Sequence, residues 1–189
     1  MRPLQSFTSS SQIFMVKFFS HRFFPLFLGL FILIADQLSK FLTHAYLPLM
    51  NHQTLWYPYG GIGIFKNFLG IEFSISHQIN RGAAWGVLSE YQMPLLYARI
   101  VLISILIIYC LFFNKHKNWN IPLALIIAGA IGNVIDFFLY GHVVDMLHFI
   151  LWGYDFPVFN IADSAIFIGI SWLLIVSNCA PKPAPKRSK

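Results

Sequence analysis

A membrane bundle of four α-helices, with both chain ends cytoplasmic and a small external β-sheet in the first outer loop, is the architecture this sequence predicts. Three observations carry it. The 189 residues are 57% hydrophobic and only 11% charged, with a mean hydropathy of +0.65, too apolar to cover a soluble globular surface. Four apolar runs, near residues 23–46, 93–113, 121–140 and 159–177, are long enough to cross a hydrocarbon core of about 30 Å. The stretch Gly70-Ile-Glu-Phe-Ser-Ile-Ser76 alternates in the manner of a half-buried strand.

The elements follow in order. Residues 1–20 are rich in Ser and Phe without a period and read as a cytoplasmic N-terminal extension. Arg2, Lys17 and Arg22 precede the first apolar run as they would in a secretory signal, but the run continues through Asp36 to Tyr46 without a small-residue cleavage site. It is therefore an uncleaved first span. The membrane domain occupies residues 21–178, including the outer loop 47–92, whose glycines and alternating stretch place a small sheet over the membrane mouth. Trp56, Tyr57, Tyr59, Trp85, Tyr91 and Trp152 fall near span ends or in outer loops, where amphipathic rings anchor a protein at the interface.

Charge sets the orientation. Lys115 and Lys117 lie between the second and third spans, and Lys182, Lys186, Arg187 and Lys189 follow the fourth, whereas the loop 141–158 has neither Lys nor Arg. The positive-inside rule then puts both termini in the cytoplasm and the first and third loops outside. The basic, Pro-rich tail 179–189 has no pattern for a packed element. These ends supply most of the net charge of +6, which suits anionic lipid headgroups and excludes nucleic acid as the expected partner. Cys110 and Cys179, far apart and within or at the end of apolar spans, suggest neither a disulfide nor a metal framework.

Four of the seven acidic residues, Asp36, Asp136, Asp145 and Asp163, lie within or at the ends of these apolar segments. Such a charge costs about 2.5–3.5 kcal/mol near a bilayer centre and marks a functional site by default. The last three fall at one depth, the outer end of spans three and four. Asn133-x-x-Asp136 and Asn160-x-x-Asp163 repeat one pattern, and helical residues three apart share a face, so each Asn can orient its carboxylate. Two carboxylates in one low-dielectric pocket cannot both ionise, and such a pair can act on water as general acid and general base without a metal or cofactor. Proton relay and hydrogen-bonded helix contacts fit the same spacing. Ser39-Lys40 invites a Ser/Lys dyad, but adjacent helical residues diverge by about 100°. Lys40 better partners Asp36, four residues before it. His142-x-x-Asp145-x-x-His148 has a metal-like spacing without a further ligand set.

Five blocks, Asp36-Gln-Leu-Ser-Lys40, Asn80-Arg-Gly-Ala-Ala-Trp-Gly86, Gly132-Asn-Val-Ile-Asp136, Gly141-His-Val-Val-Asp145 and Phe159-Asn-Ile-Ala-Asp-Ser-Ala165, resemble in order and interval the signature blocks of bacterial lipoprotein signal peptidase, signal peptidase II. The resemblance spans residues 24–176. It implies an aspartic endopeptidase of the bacterial cytoplasmic (inner) membrane, acting near the outer face as a monomer. Its substrates would be prolipoproteins, cut just before a diacylglyceryl-modified cysteine, with membrane lipids as further partners. By the same resemblance Asp145 and Asp163 are the catalytic pair, while Asp36, Asn80, Asn133, Asp136 and Asn160, with Lys40 beside Asp36, support the pocket and the substrate. No cofactor or metal is implied. One departure stands out: Phe137 follows Asp136 where the family pattern has Arg, leaving Arg81 or Arg99 as candidates for the missing cation.

Overall fold

The structure is a computed structural model describing residues 8–51, 57–82 and 89–178. The expectations for Trp56, Trp85, positions 83–86 of the first-loop block, Cys179 and the basic tail lie outside these residues. Four helices form the body: α1 (Thr8–Tyr46), α2 (Gln92–Ile108), α3 (Asn120–Tyr140) and α4 (Ile161–Asn178). A π-helical turn, Tyr109–Phe113, extends α2. Each has an apolar stretch long enough to cross a membrane, at 23–46, 92–113, 117–140 and 161–178. Large apolar side chains such as Phe27, Phe31, Leu111, Phe138 and Phe167 point outward, which costs nothing where the surrounding solvent is hydrocarbon.

The third span is 44% buried against 11–17% for the others, so α3 is the centre of the bundle. It packs on α1, α2 and α4. Close approach there depends on small residues, as in other membrane helix pairs. A Cβ on Gly129 would run into the Ala162 carbonyl of α4, and one on Gly132 would stand 2.6 Å from Asp36 Oδ2 of α1. At its other end α3 stops on Gly141, whose left-handed φ of 74° no β-branched residue would adopt readily, and whose N–H donates to the Phe137 carbonyl at 2.9 Å.

The sheet is present but extends beyond the first outer loop. That loop supplies β1 (Ile62–Phe68) and β2 (Ile71–Asn80), and the loop between α3 and α4 supplies β3 (Val143–Leu151) and β4 (Tyr154–Asp155). All pairs are antiparallel, in the order β1-β2-β3-β4. The alternating stretch from Gly70 opens β2, as its pattern predicts. β3 escaped the same test because Val143–Leu151 is covered on both faces, every residue buried or half-buried, so no polar alternation marks it. β2 carries a bulge: Ile75 pairs with Leu147 and Gln78 with Asp145, so Ser76 and His77 together oppose Met146. Bulges of this kind re-aim side chains beside functional sites.

Gly132→Ala tests the close packing. The added methyl must displace the Asp36 carboxylate, and overpacking of this size costs about 1–3 kcal/mol. A lower midpoint in thermal unfolding of the detergent-solubilised protein is expected, and an unchanged midpoint would show that the helices are not in contact here.

Candidate active site

Two polar layers meet where the bundle joins the sheet. The deeper one is built around Lys40, which is wholly buried. Its ammonium lies 2.8 Å from Asp36 Oδ2 and 2.7 Å from Asp136 Oδ2, and donates to Asn133 Oδ1 at 2.9 Å. Three donors thus meet three acceptors on α1 and α3. The remaining carboxylate oxygens are also engaged. The Ala162 N–H in the first turn of α4 donates to Asp36 Oδ1 at 2.8 Å, so a carboxylate of one helix satisfies an open N–H at the start of another. Gln37 Nε2 donates to Asp136 Oδ1 at 2.9 Å and to the Gly132 carbonyl at 3.1 Å. The Val144 N–H of β3 reaches Asp136 Oδ2 at 3.3 Å.

The upper layer holds the other two carboxylates. Asn160 precedes α4 and caps it, its Oδ1 accepting the Asp163 N–H at 2.8 Å. Its Nδ2 donates to Asp145 Oδ1 at 2.6 Å and approaches Asn133 Oδ1 at 3.2 Å. Asn133 in turn donates to Asp163 Oδ1 at 2.8 Å. Asn80, at the end of β2, donates to Asp145 Oδ2 at 3.0 Å and accepts the Gly82 N–H at 3.0 Å. Asp145 is 1% exposed and held on both oxygens, whereas Asp163 is half-buried. Burial, and after it the negative field of Asp163, push the Asp145 carboxyl up to about 7 against the hydrogen bonds of Asn80 and Asn160.

All eight residues singled out from the sequence fall in this one network. Their pairing differs from the expectation in one respect: neither Asn serves the carboxylate three residues after it. Asn133 of α3 bonds Asp163 of α4, and Asn160 bonds Asp145 of β3, so each amide reaches across to a facing element. Nor does Arg81 or Arg99 supply the cation absent at Phe137. Arg81 is exposed and Arg99 donates to the Gly82 carbonyl at 2.9 Å, while Lys40 already sits on Asp136. The Ser/Lys reading fails on geometry, since Ser39 Oγ is tied to the Asp36 carbonyl at 2.8 Å and Lys40 is enclosed by carboxylates. The His142/Asp145/His148 spacing falls apart on a strand, where Asp145 and His148 point to opposite faces. His148 Nε2 instead lies 2.7 Å from Asp155.

Gln37 was missed by sequence reasoning. Its signal was available: an unexplained amide in an apolar span, adjacent to Asp36.

Four membrane-crossing helices that hold an Asn–Asp network beneath a sheet define the class, a polytopic membrane protein with a built carboxylate centre. The comparisons narrow this class to a family. The family model described as Signal peptidase (SPase) II matches residues 28–179 and takes in every residue of the network. A lipoprotein signal peptidase of Staphylococcus aureus (strain JH9) is 35% identical over 152 residues, covering 78% of this chain and 83% of that one. One of Staphylococcus haemolyticus (strain JCSC1435) is 43% identical over 116 residues, 59% of this chain and 69% of the relative. A solved bacterial membrane enzyme, determined by the in meso method at 2.3 Å resolution, superposes with a TM-score of 0.69 at 28% identity, covering 85% of this chain and 94% of its own. The chain belongs to the signal peptidase II family, and so is a peptidase.

Gln37→Met keeps the volume and removes the donor to Asp136 and Gly132. Leaving buried acceptors without a donor costs about 1–3 kcal/mol, so a corresponding drop in unfolding free energy is expected. Equal stability of the variant, followed by thermal or denaturant unfolding, would mean that the amide bonds are not formed.

Proposed function

We propose that this protein is an aspartic endopeptidase of the bacterial cytoplasmic membrane that removes the signal peptide from diacylglyceryl-modified prolipoproteins, cutting just before the lipidated cysteine. The substrate class is taken from the lipoprotein signal peptidases to which the chain is similar. The observation that carries the chemistry is the joining of Asp145 and Asp163, from β3 and α4, through the Asn133–Asn160 pair.

The two carboxylates share one proton in this reading. Asp145, buried and raised to about 7, carries it, and the more open Asp163 is the base. Asp163 takes a proton from water as the oxygen attacks the scissile carbonyl, while Asp145 protonates the carbonyl oxygen. Collapse of the tetrahedral diol returns that proton to Asp145 and delivers the one on Asp163 to the departing amine of the cysteine. Atoms balance, and the site needs no cofactor. Lys40 holds a positive charge beneath the pair through Asn133, so that a single negative charge on the dyad is tolerated. The positive-inside pattern of the loops supports a site at the outer face, where the substrate's acyl chains stay in the bilayer and supply much of the binding.

Purified protein should cleave a diacylglyceryl-modified prolipoprotein peptide, and Asp145→Asn and Asp163→Asn should each lose about 10²–10⁴-fold in kcat. Near-normal turnover by either folded variant would remove that residue from the chemistry. A carboxyl raised to about 7 keeps its proton below that pH and releases it above. The wild-type kcat should therefore fall as pH rises through about 7; a flat profile to strongly alkaline pH would assign the proton elsewhere.

A further inference from the structure

The end of α1, the β2 bulge and the turn from α3 into β3 meet in a corner that the carboxylate network does not use, and three histidines fill it. His44 lies near the end of α1, His77 in the bulge and His142 beside Gly141. The His44 ring centre stands 5.4 Å from that of His77, 6.2 Å from that of His142 and 4.5 Å from that of Tyr140. The corner is a structural joint. His77 holds the segment after α1 twice, its ring Nδ1 lying 2.9 Å from the Leu47 carbonyl and its own carbonyl accepting the Met50 N–H at 2.7 Å. From this joint β2 runs on to Asn80 and β3 to Asp145, which stand three residues after His77 and His142 respectively.

The hydrogen bonds fix the protons. A carbonyl only accepts, so His77 Nδ1 carries the proton and donates it to Leu47. His142 donates to the Tyr140 backbone in the same way. In both rings Nε2 is then a lone pair, and both Nε2 atoms are buried without a hydrogen-bond partner. A neutral imidazole tolerates that. A protonated one does not, because the new Nε2–H would be a charged donor shut off from water with nothing to accept it.

The surroundings of His142 add to this cost. Its proton affinity is held below the usual histidine value by burial first, then by the positive fields of His44, Arg81 and His77, against the hydrogen bond to Tyr140. No carboxylate is among the groups acting on it. From α1 it meets His44, from β2 and the residue that follows it His77 and Arg81, and from α3 Tyr140, behind which Asp136 and Lys40 set opposed fields. Charge on the exposed His44 would oppose charge on the other two rings.

We propose that this histidine joint is an acid-sensitive latch: protonation of His142 and His77 sets positive charges against one another and against Arg81, and loosens the sheet from the end of α1. A histidine kept neutral in the fold charges freely in the unfolded chain. Its contribution to stability is therefore whole above the usual value of 6.5 and is lost as pH falls below it. Acid thus weakens the corner from which Asn80 and Asp145 are hung. The latch is read by unfolding, without substrate, and so independently of peptidase activity.

Detergent-solubilised full-length wild type, His142→Gln and Arg81→Gln are unfolded with denaturant between about pH 5 and pH 8. Raised carboxyls such as Asp145 act in the opposite sense, so the quantity read is the ratio of unfolding constants, wild type over variant, in which they cancel. The ratio to His142→Gln should be constant above about pH 7.5 and rise below about 6.5, by up to about tenfold per pH unit. Arg81→Gln, at an exposed position, removes one positive field from His142 and should lose stability in acid less steeply than the wild type. It keeps the test open if His142→Gln does not fold. A ratio to His142→Gln that is constant across the range, or an acid loss in Arg81→Gln as steep as in the wild type, would overturn the proposal.

Discussion

The ammonium of Lys40, enclosed between Asp36 and Asp136, is the contact on which the rest of the centre depends. Burying an ion costs several kcal/mol even after relaxation, about enough to undo a domain's stability if left uncompensated. Here each charge has a partner and each partner comes from a different place. Lys40 joins α1 to α3, Asp36 reaches the first turn of α4, and Asp136 receives the backbone of β3. The helices are thereby fixed in register by polar contacts in a setting where hydrophobic burial gives no direction, since lipid is as apolar as leucine.

From that lower layer the upper one follows. Asn133 accepts from Lys40 with its carbonyl and so must present its amide to Asp163. Asn160 divides its two ends likewise, one capping α4 and one holding Asp145. An amide can donate and accept at once, which is why asparagine and not a further carboxylate or lysine links the layers. Asp145 ends up dry and beside a like charge, two conditions that push its carboxyl upward and outweigh the two amide donors that oppose them.

How much of this was legible in the sequence depends on the kind of signal. Four spans and the strand from Ile71 were readable because length and alternation are local properties. The eight residues of the polar network were readable through five ordered blocks that resemble signal peptidase II. The Asn–Asp pairing was not, because spacing along one helix says nothing about a nearer group on the next. β3 was hidden by the covering of both its faces, which removes alternation. Phe137 looked like a lost cation only because the reach of Lys40 to Asp136, across from α1 to α3, has no trace in the local pattern.

Asn160 stands outside α4 yet serves both that helix and Asp145, and the other partners of the two upper carboxylates lie in β2 and α3. No contiguous stretch of chain contains the centre. During synthesis, therefore, three spans can be inserted while neither carboxylate has its full set of partners, and the network is complete only after the final helix enters the bilayer. On the proposed dyad, the peptidase would thus be kept inert by topology until its last span is in place.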